Sequence, residues 1–114
     1  MPKIAFLGAG STVFAKNVLG DCIAAPALAD SEIALYDLDP VRLKDSQMML
    51  ENLNRNAGGK ATVRAFTREG RREALQGADF VVNAIQVGGY EPCTVTDFEV
   101  PKAYGLRQTI ADTL

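Results

Sequence analysis

Three short runs in the chain are apolar almost without interruption: Lys3-Ile4-Ala5-Phe6-Leu7, Glu32-Ile33-Ala34-Leu35-Tyr36 and Phe80-Val81-Val82-Asn83-Ala84-Ile85. Runs this long that lack the in-out alternation of a half-wet sheet predict strands covered on both faces, as in a parallel sheet. Between the first two, Val13 to Ala25 carries Val18, Leu19, Cys22 and Ile23 at helical spacing and stops at Pro26, which predicts the crossover helix. After the second run, Asp39 is a favourable N-cap and Pro40 lacks only an N–H that the first helical turn leaves unused. A helix from Pro40 to Ala57 is predicted there, with Leu43, Leu50, Leu53 and Ala57 on one face and Gly58-Gly59 as its stop. Ala61 to Phe66 reads as a weaker, alternating strand and Arg68 to Gln76 as a short helix. Gly77-Ala78-Asp79 then turns into the Phe80 strand. From Gly88 onward the pattern predicts a loop, with partial helix over Pro101 to Leu114 interrupted at Gly105.

This βαβαβαβ alternation with short connections predicts an α/β, Rossmann-like parallel sheet, the first half of a doubly wound NAD-binding domain. Residues 1–114 form a single domain on this reading. With the usual 3-2-1-4 strand order, the Phe80 strand is an apolar edge that ordinarily pairs with a fifth strand, so the domain reads as truncated.

Composition narrows the functional classes. Apolar residues make up 47% and charged residues 23% of the 114, which suits a folded core and does not match the signature of disorder. A net charge of −2 without a basic stripe gives no reason to expect nucleic acid or an anionic membrane as partner. The first residues lack a signal peptide's apolar stretch and no run is long enough to span a bilayer, so a cytoplasmic location is expected. Cys22 and Cys93 lie far apart without metal-ligand spacing, and histidine is absent, so no metal site is expected within this chain. Cys22 reads as helix core. Arg64, Arg68, Arg71 and Arg72 read as a solvated face of the short helix.

Candidate chemistry gathers at the ends of the strands. Gly8-Ala9-Gly10 follows a buried strand and precedes a helix, the setting in which a glycine turn cradles a pyrophosphate. Gly8 permits the tight turn, Gly10 lets the backbone approach the phosphates, and the Ser11 and Thr12 hydroxyls add donors. Val13 stands where the dinucleotide fingerprint has its third glycine, which predicts a helix set slightly farther from the strand. The plainer alternative is a strand-to-helix turn that binds nothing. Asp37 closes the second strand where a carboxylate accepts from the adenosine ribose and repels a 2′-phosphate, favouring NAD over NADP. It lies 27 residues after Gly10, against roughly 20 after the usual motif. A carboxylate at a helix start is the alternative for Asp37, and Asp39 is better read as a cap.

Asn83 to Gly89 ends the fourth strand beside the topological switch point. Asn83 in an apolar strand needs a partner, which is either the cofactor or a neighbouring loop, and Gln86 and Gly88 belong to the substrate side of this segment. No Lys or Arg occurs from Phe80 to Pro101, which argues against an anionic substrate held there by a cation.

The segments FLGAGSTVFAKNVLGD at 6–21, ALYDLDPVRL at 34–43 and ADFVVNAIQVGGYEPCTVTDFEVPKAYGLRQTIADTL at 78–114 resemble the N-terminal part of the glycosidases of glycoside hydrolase family four. The resemblance is greatest to the α-galactosidase (melibiase) branch. It implies NAD and Mn2+ as cofactors, with the metal ligands and the catalytic tyrosine beyond Leu114. It implies hydrolysis of unphosphorylated, melibiose-type α-galactosides by oxidation at sugar C3, elimination across C2 and C1, addition of water, and reduction. Cys93 or Thr94 aligns with the position that holds the sugar phosphate in the phospho-sugar branch, and Asp112 aligns with a carboxylate that supports the catalytic tyrosine. A homo-oligomer is implied for the full-length enzyme, and no activity is expected of this chain alone. The competing readings are a fragment of a malate- or lactate-type dehydrogenase, which needs an Arg in the loop after the fourth strand, and a non-catalytic NAD-sensing module.

Overall fold

The strand Lys3–Leu7 (β1) lies at the centre of the protein's only sheet among the residues 1–107 that the computed structural model describes. It pairs in parallel with Glu32–Tyr36 (β2) on one side and Phe80–Asn83 (β4) on the other, and Thr62–Phe66 (β3) adds to β2, giving the order β3-β2-β1-β4. The register sets Ile4 against Ile33 and Phe80, Phe6 against Leu35 and Val82, and Leu7 against Tyr36 and Asn83. This is the expected Rossmann-like arrangement with the expected strand order.

The strand period of two divides the buried residues between two faces. Ile4, Phe6, Ile33 and Leu35 pack with Leu19 and Ile23 of Thr12–Ala24 (α1) and with Leu43 and Leu50 of Pro40–Asn56 (α2). On the opposite face Ala5, Ala34, Tyr36 and Phe66 meet Ala74 of the one-turn helix Arg71–Leu75 (α3). Helices thus cover both faces, which is why these strands are apolar throughout. Cys22 packs against the first cluster, and its partial burial, with a smaller effect from Asp21, raises the thiol pKa and disfavours the reactive thiolate.

Polar contacts fasten the elements at the amino-terminal edge of the sheet. The Lys3 Nζ donates to the Glu73 and Gln76 carbonyls at 3.0 and 2.8 Å, holding the open end of α3, and lies 3.5 Å from Glu32. The Lys3 N–H donates to Asp79 at 2.7 Å. At the end of α2, the Asn54 amide both donates to the Ala61 carbonyl and accepts from the Ala61 N–H, which starts β3 in register.

The structure corrects several local expectations. The segment after Gly88 is not a loop: Gly89–Thr94 forms a wide helical turn broken at Glu91, and Val95–Lys102 is a helix (α4) that places Pro101 in its last turn rather than at a helix start. The short helix splits into a 3-10 turn, Arg68–Gly70, and α3. Ala57 is exposed, and the buried face of α2 uses Ser46 instead. Arg64 belongs to β3, where it lies 3.6 Å from Glu32 and 5.0 Å over the Phe66 ring, so it is not part of a solvated helix face. Phe80 and Val81 of the edge strand β4 are 55% and 53% exposed. The C-terminal part of the segment expected to be helical in part, and Asp112 within it, lie outside the described residues.

Leu19 is fully buried between sheet and α2. Leu19→Ala is expected to destabilise the fold by about 2–5 kcal/mol through lost burial and a residual cavity, read as a lower midpoint in urea denaturation.

Candidate functional site

The carboxyl ends of β1, β2 and β4 open onto one cleft of about 850 Å³. Gly8, Gly10, Ser11, Asp37, Asn83 and Gln86 all line it, so six of the residues singled out in the sequence converge on one place. Parallel pairing is the reason: every strand of such a sheet ends at the same edge, and the turns that follow must meet there.

Each glycine of the turn is required by a different neighbour. Gly8 has φ +90°, and a side chain there would collide with the Ala84 carbonyl where β4 ends. Gly10 sits against Asp37: a Cβ would come within 2.7 Å of Asp37 Oδ2 and 3.2 Å of Arg42 Cβ. The Gly10 N–H donates to that same Oδ2 at 2.7 Å, and Asp37 Oδ1 accepts from the Asp39 N–H at 2.9 Å. The Asp37 carboxylate thus occupies the space that a side chain at position 10 would need. Ala9 between the two glycines is fully buried, and its carbonyl accepts from the buried Ser46 hydroxyl of α2.

With the Gly10 N–H committed, the free donors lie one step farther on. The Thr12, Val13 and Phe14 N–H groups make no hydrogen bond among the described residues, whereas the Ala15 N–H already donates to Ser11 O. Three open N–H groups at the start of a 13-residue helix leave donors that can accept an anion. Val13 contributes there through its backbone. Its side chain is 68% exposed. The Ser11 side chain makes no capping hydrogen bond, and neither Thr12 nor Val13 lines the cleft wall.

Asp39 caps α2 as expected, accepting from the Val41 and Arg42 N–H groups at 3.0 and 3.1 Å. The Asn83 Oδ1 accepts from the Ile85 N–H at 3.3 Å, so its protein partner is its own chain two residues on. Gln86 ties down the following turn: its Oε1 accepts from the Gly89 N–H at 3.1 Å, and its Nε2 donates to Thr94 Oγ1 at 3.3 Å. Gly88 adopts φ +83° with the Cys93 side chain packed where its own would be. Gly88, Cys93 and Thr94 thus build one turn beside the cleft and do not line it.

The sequence reading missed the cleft wall made by Phe14, Leu38, Arg42 and Ile85. Leu38 and Phe14 are exposed despite their size, a signal visible only in three dimensions. Among the described residues, no group of three His, Cys, Asp or Glu side chains could hold a metal ion, and no helix is long and apolar enough to cross a membrane.

Gly10→Ala is expected to break the Gly10–Asp37 hydrogen bond and destabilise the turn by about 1.5–3 kcal/mol, the range for a bond to a charged group, as measured by chemical denaturation. Unchanged stability would mean that the carboxylate moves aside freely.

Comparison with known proteins agrees with this geometry. The family model described as family 4 glycosyl hydrolase matches residues 3–114. An α-galactosidase of Bacillus subtilis is 60% identical over 114 residues, covering all of this chain and 26% of that protein. An α-glucosidase of Erwinia rhapontici is 36% identical over 110 residues, 96% of this chain and 24% of that protein, and an α-galactosidase of Rhizobium meliloti is 34% identical over 112 residues, 98% of this chain and 22% of that protein. The chain spans about a quarter of the length of these curated relatives. With a match over nearly its whole length, this chain belongs to family 4 of the glycosyl hydrolases.

Proposed function

We propose that the chain is the NAD-binding part of an NAD- and Mn2+-dependent glycosidase that hydrolyses unphosphorylated α-galactosides. The observation that carries the reading is the cleft itself, in which a glycine turn, the open start of α1 and the Asp37 carboxylate meet at one sheet edge. The α1 N–H groups of Thr12, Val13 and Phe14, with the Ser11 hydroxyl, bind the pyrophosphate. Asp37 receives the adenosine ribose: its two bonds to backbone use about half of the four or so acceptor sites of a carboxylate, which leaves room for hydroxyl donors. Asn83 and Gln86 border the opposite, nicotinamide side of the cleft. Bound NAD supplies a hydride acceptor for a sugar C–H bond, and the chain's own groups hold and orient it.

Substrate class rests on likeness. The relative that is 60% identical is named an α-galactosidase, ahead of the α-glucosidase at 36%. The cation-free stretch from Phe80 to Pro101 suits a neutral sugar and disfavours the dehydrogenase alternative, which needs a substrate-binding Arg there. No residue described here is assigned to Mn2+.

Calorimetric titration tests the cofactor role: Asp37→Ala is expected to weaken NAD binding by about tenfold or more, the worth of one charge-assisted bond. Equal affinity in the variant would remove Asp37 from the ribose. In the full-length protein, release of nitrophenol from a nitrophenyl α-galactoside is expected only with both NAD and Mn2+ present, and none from the 114-residue chain alone. Hydrolysis without NAD would overturn the redox reading.

A further inference from the structure

One cationic side chain lines the cleft. Arg42, in the first turn of α2, is exposed and is the sole Lys or Arg among the residues lining the cleft, beside Asp37, Leu38 and Asp39. Two carboxylates share that wall, yet the Arg42 guanidinium forms no ion pair or hydrogen bond among the described residues. The carboxylates are turned to backbone: Asp37 to the Gly10 and Asp39 N–H groups, Asp39 to those of Val41 and Arg42. An arginine without a protein partner, facing a ligand cleft, offers a planar fork of donors suited to a phosphate.

Its position selects which phosphate. Arg42 lies five residues after Asp37, in the first turn of α2, and stands at the β2 end of the cleft, where the proposed function puts the adenosine ribose. We propose that Arg42 is a latent 2′-phosphate site, so that the Asp37 charge alone holds the cleft to the unphosphorylated dinucleotide. The inference rests on the dinucleotide reading of the cleft. The two residues act on one atom group in opposite senses: the carboxylate accepts from a free 2′-hydroxyl and repels a 2′-phosphate, while the guanidinium attracts the phosphate and is indifferent to the hydroxyl.

The test is calorimetric titration of NAD and NADP against the full-length protein and its Arg42→Ala, Asp37→Ser and doubly substituted variants. Asp37→Ser is expected to shift the NADP-to-NAD affinity ratio toward NADP by about tenfold or more, and adding Arg42→Ala should abolish that gain. Arg42 is exposed, so Arg42→Ala alone leaves the core intact and keeps the question open to measurement if Asp37→Ser disturbs the turn. It should weaken NADP selectively, with NAD changed less than about twofold. Equal loss of both dinucleotides in Arg42→Ala would place the guanidinium on the pyrophosphate and overturn the inference, as would a double variant that keeps the NADP gain, or an Asp37→Ser protein that folds and gains none. Those results leave NAD binding itself standing. Failure of the unsubstituted protein to bind NAD would instead remove the dinucleotide reading and this inference with it.

Discussion

The hydrogen bond from the Gly10 N–H to the Asp37 carboxylate joins the turn after β1 to the end of β2 and defines the cleft around it. The register makes it available: Leu7 pairs with Tyr36, so the chain three residues beyond one and one residue beyond the other arrives at the same point. A bond of this kind, to a charged acceptor, contributes about 1.5–3 kcal/mol. Its larger consequence is geometric. Because the carboxylate fills the space beside Gly10, the turn cannot relax into it, and the α1 helix begins with its first N–H groups facing open solvent.

Other features of the site follow from the same contact. Gly10 gives its donor to Asp37, so the free donors belong to Thr12, Val13 and Phe14. Asp37 directs its oxygens to two backbone N–H groups, so Arg42 is left without a carboxylate partner on a wall that has two. Beneath the turn, the Ser46 hydroxyl satisfies the Ala9 carbonyl, one polar link between α2 and a buried segment that would otherwise leave an acceptor unpaired.

The two edges of the sheet divide stability and chemistry. At the amino-terminal edge Lys3 closes the end of α3 and Asp79 takes the first N–H of β1, so charges there are consumed in holding elements together. At the carboxyl edge, helix N-terminal donors and a guanidinium remain unconsumed. A parallel sheet produces this asymmetry by itself, since the crossover helices all begin at the edge where the strands end.

The strand runs, the two long helices and the order of the strands were legible in the sequence because burial on two faces writes a continuous apolar pattern, and right-handed crossovers leave few topologies. The glycine turn, Asp37 and the Asp39 cap were legible for a similar reason: each is a local device with a residue type that little else can replace. The reason for Gly10, the exposure of Val13 and the availability of Arg42 were decided only by tertiary structure. They depend on which side chain from a distant strand or helix reaches the turn, and spacing along the chain does not encode that distance. The helix after Gly88 escaped for a related cause. Its residues carry no apolar stripe, since none is buried, and a helix without a packed face leaves no periodic trace in the sequence.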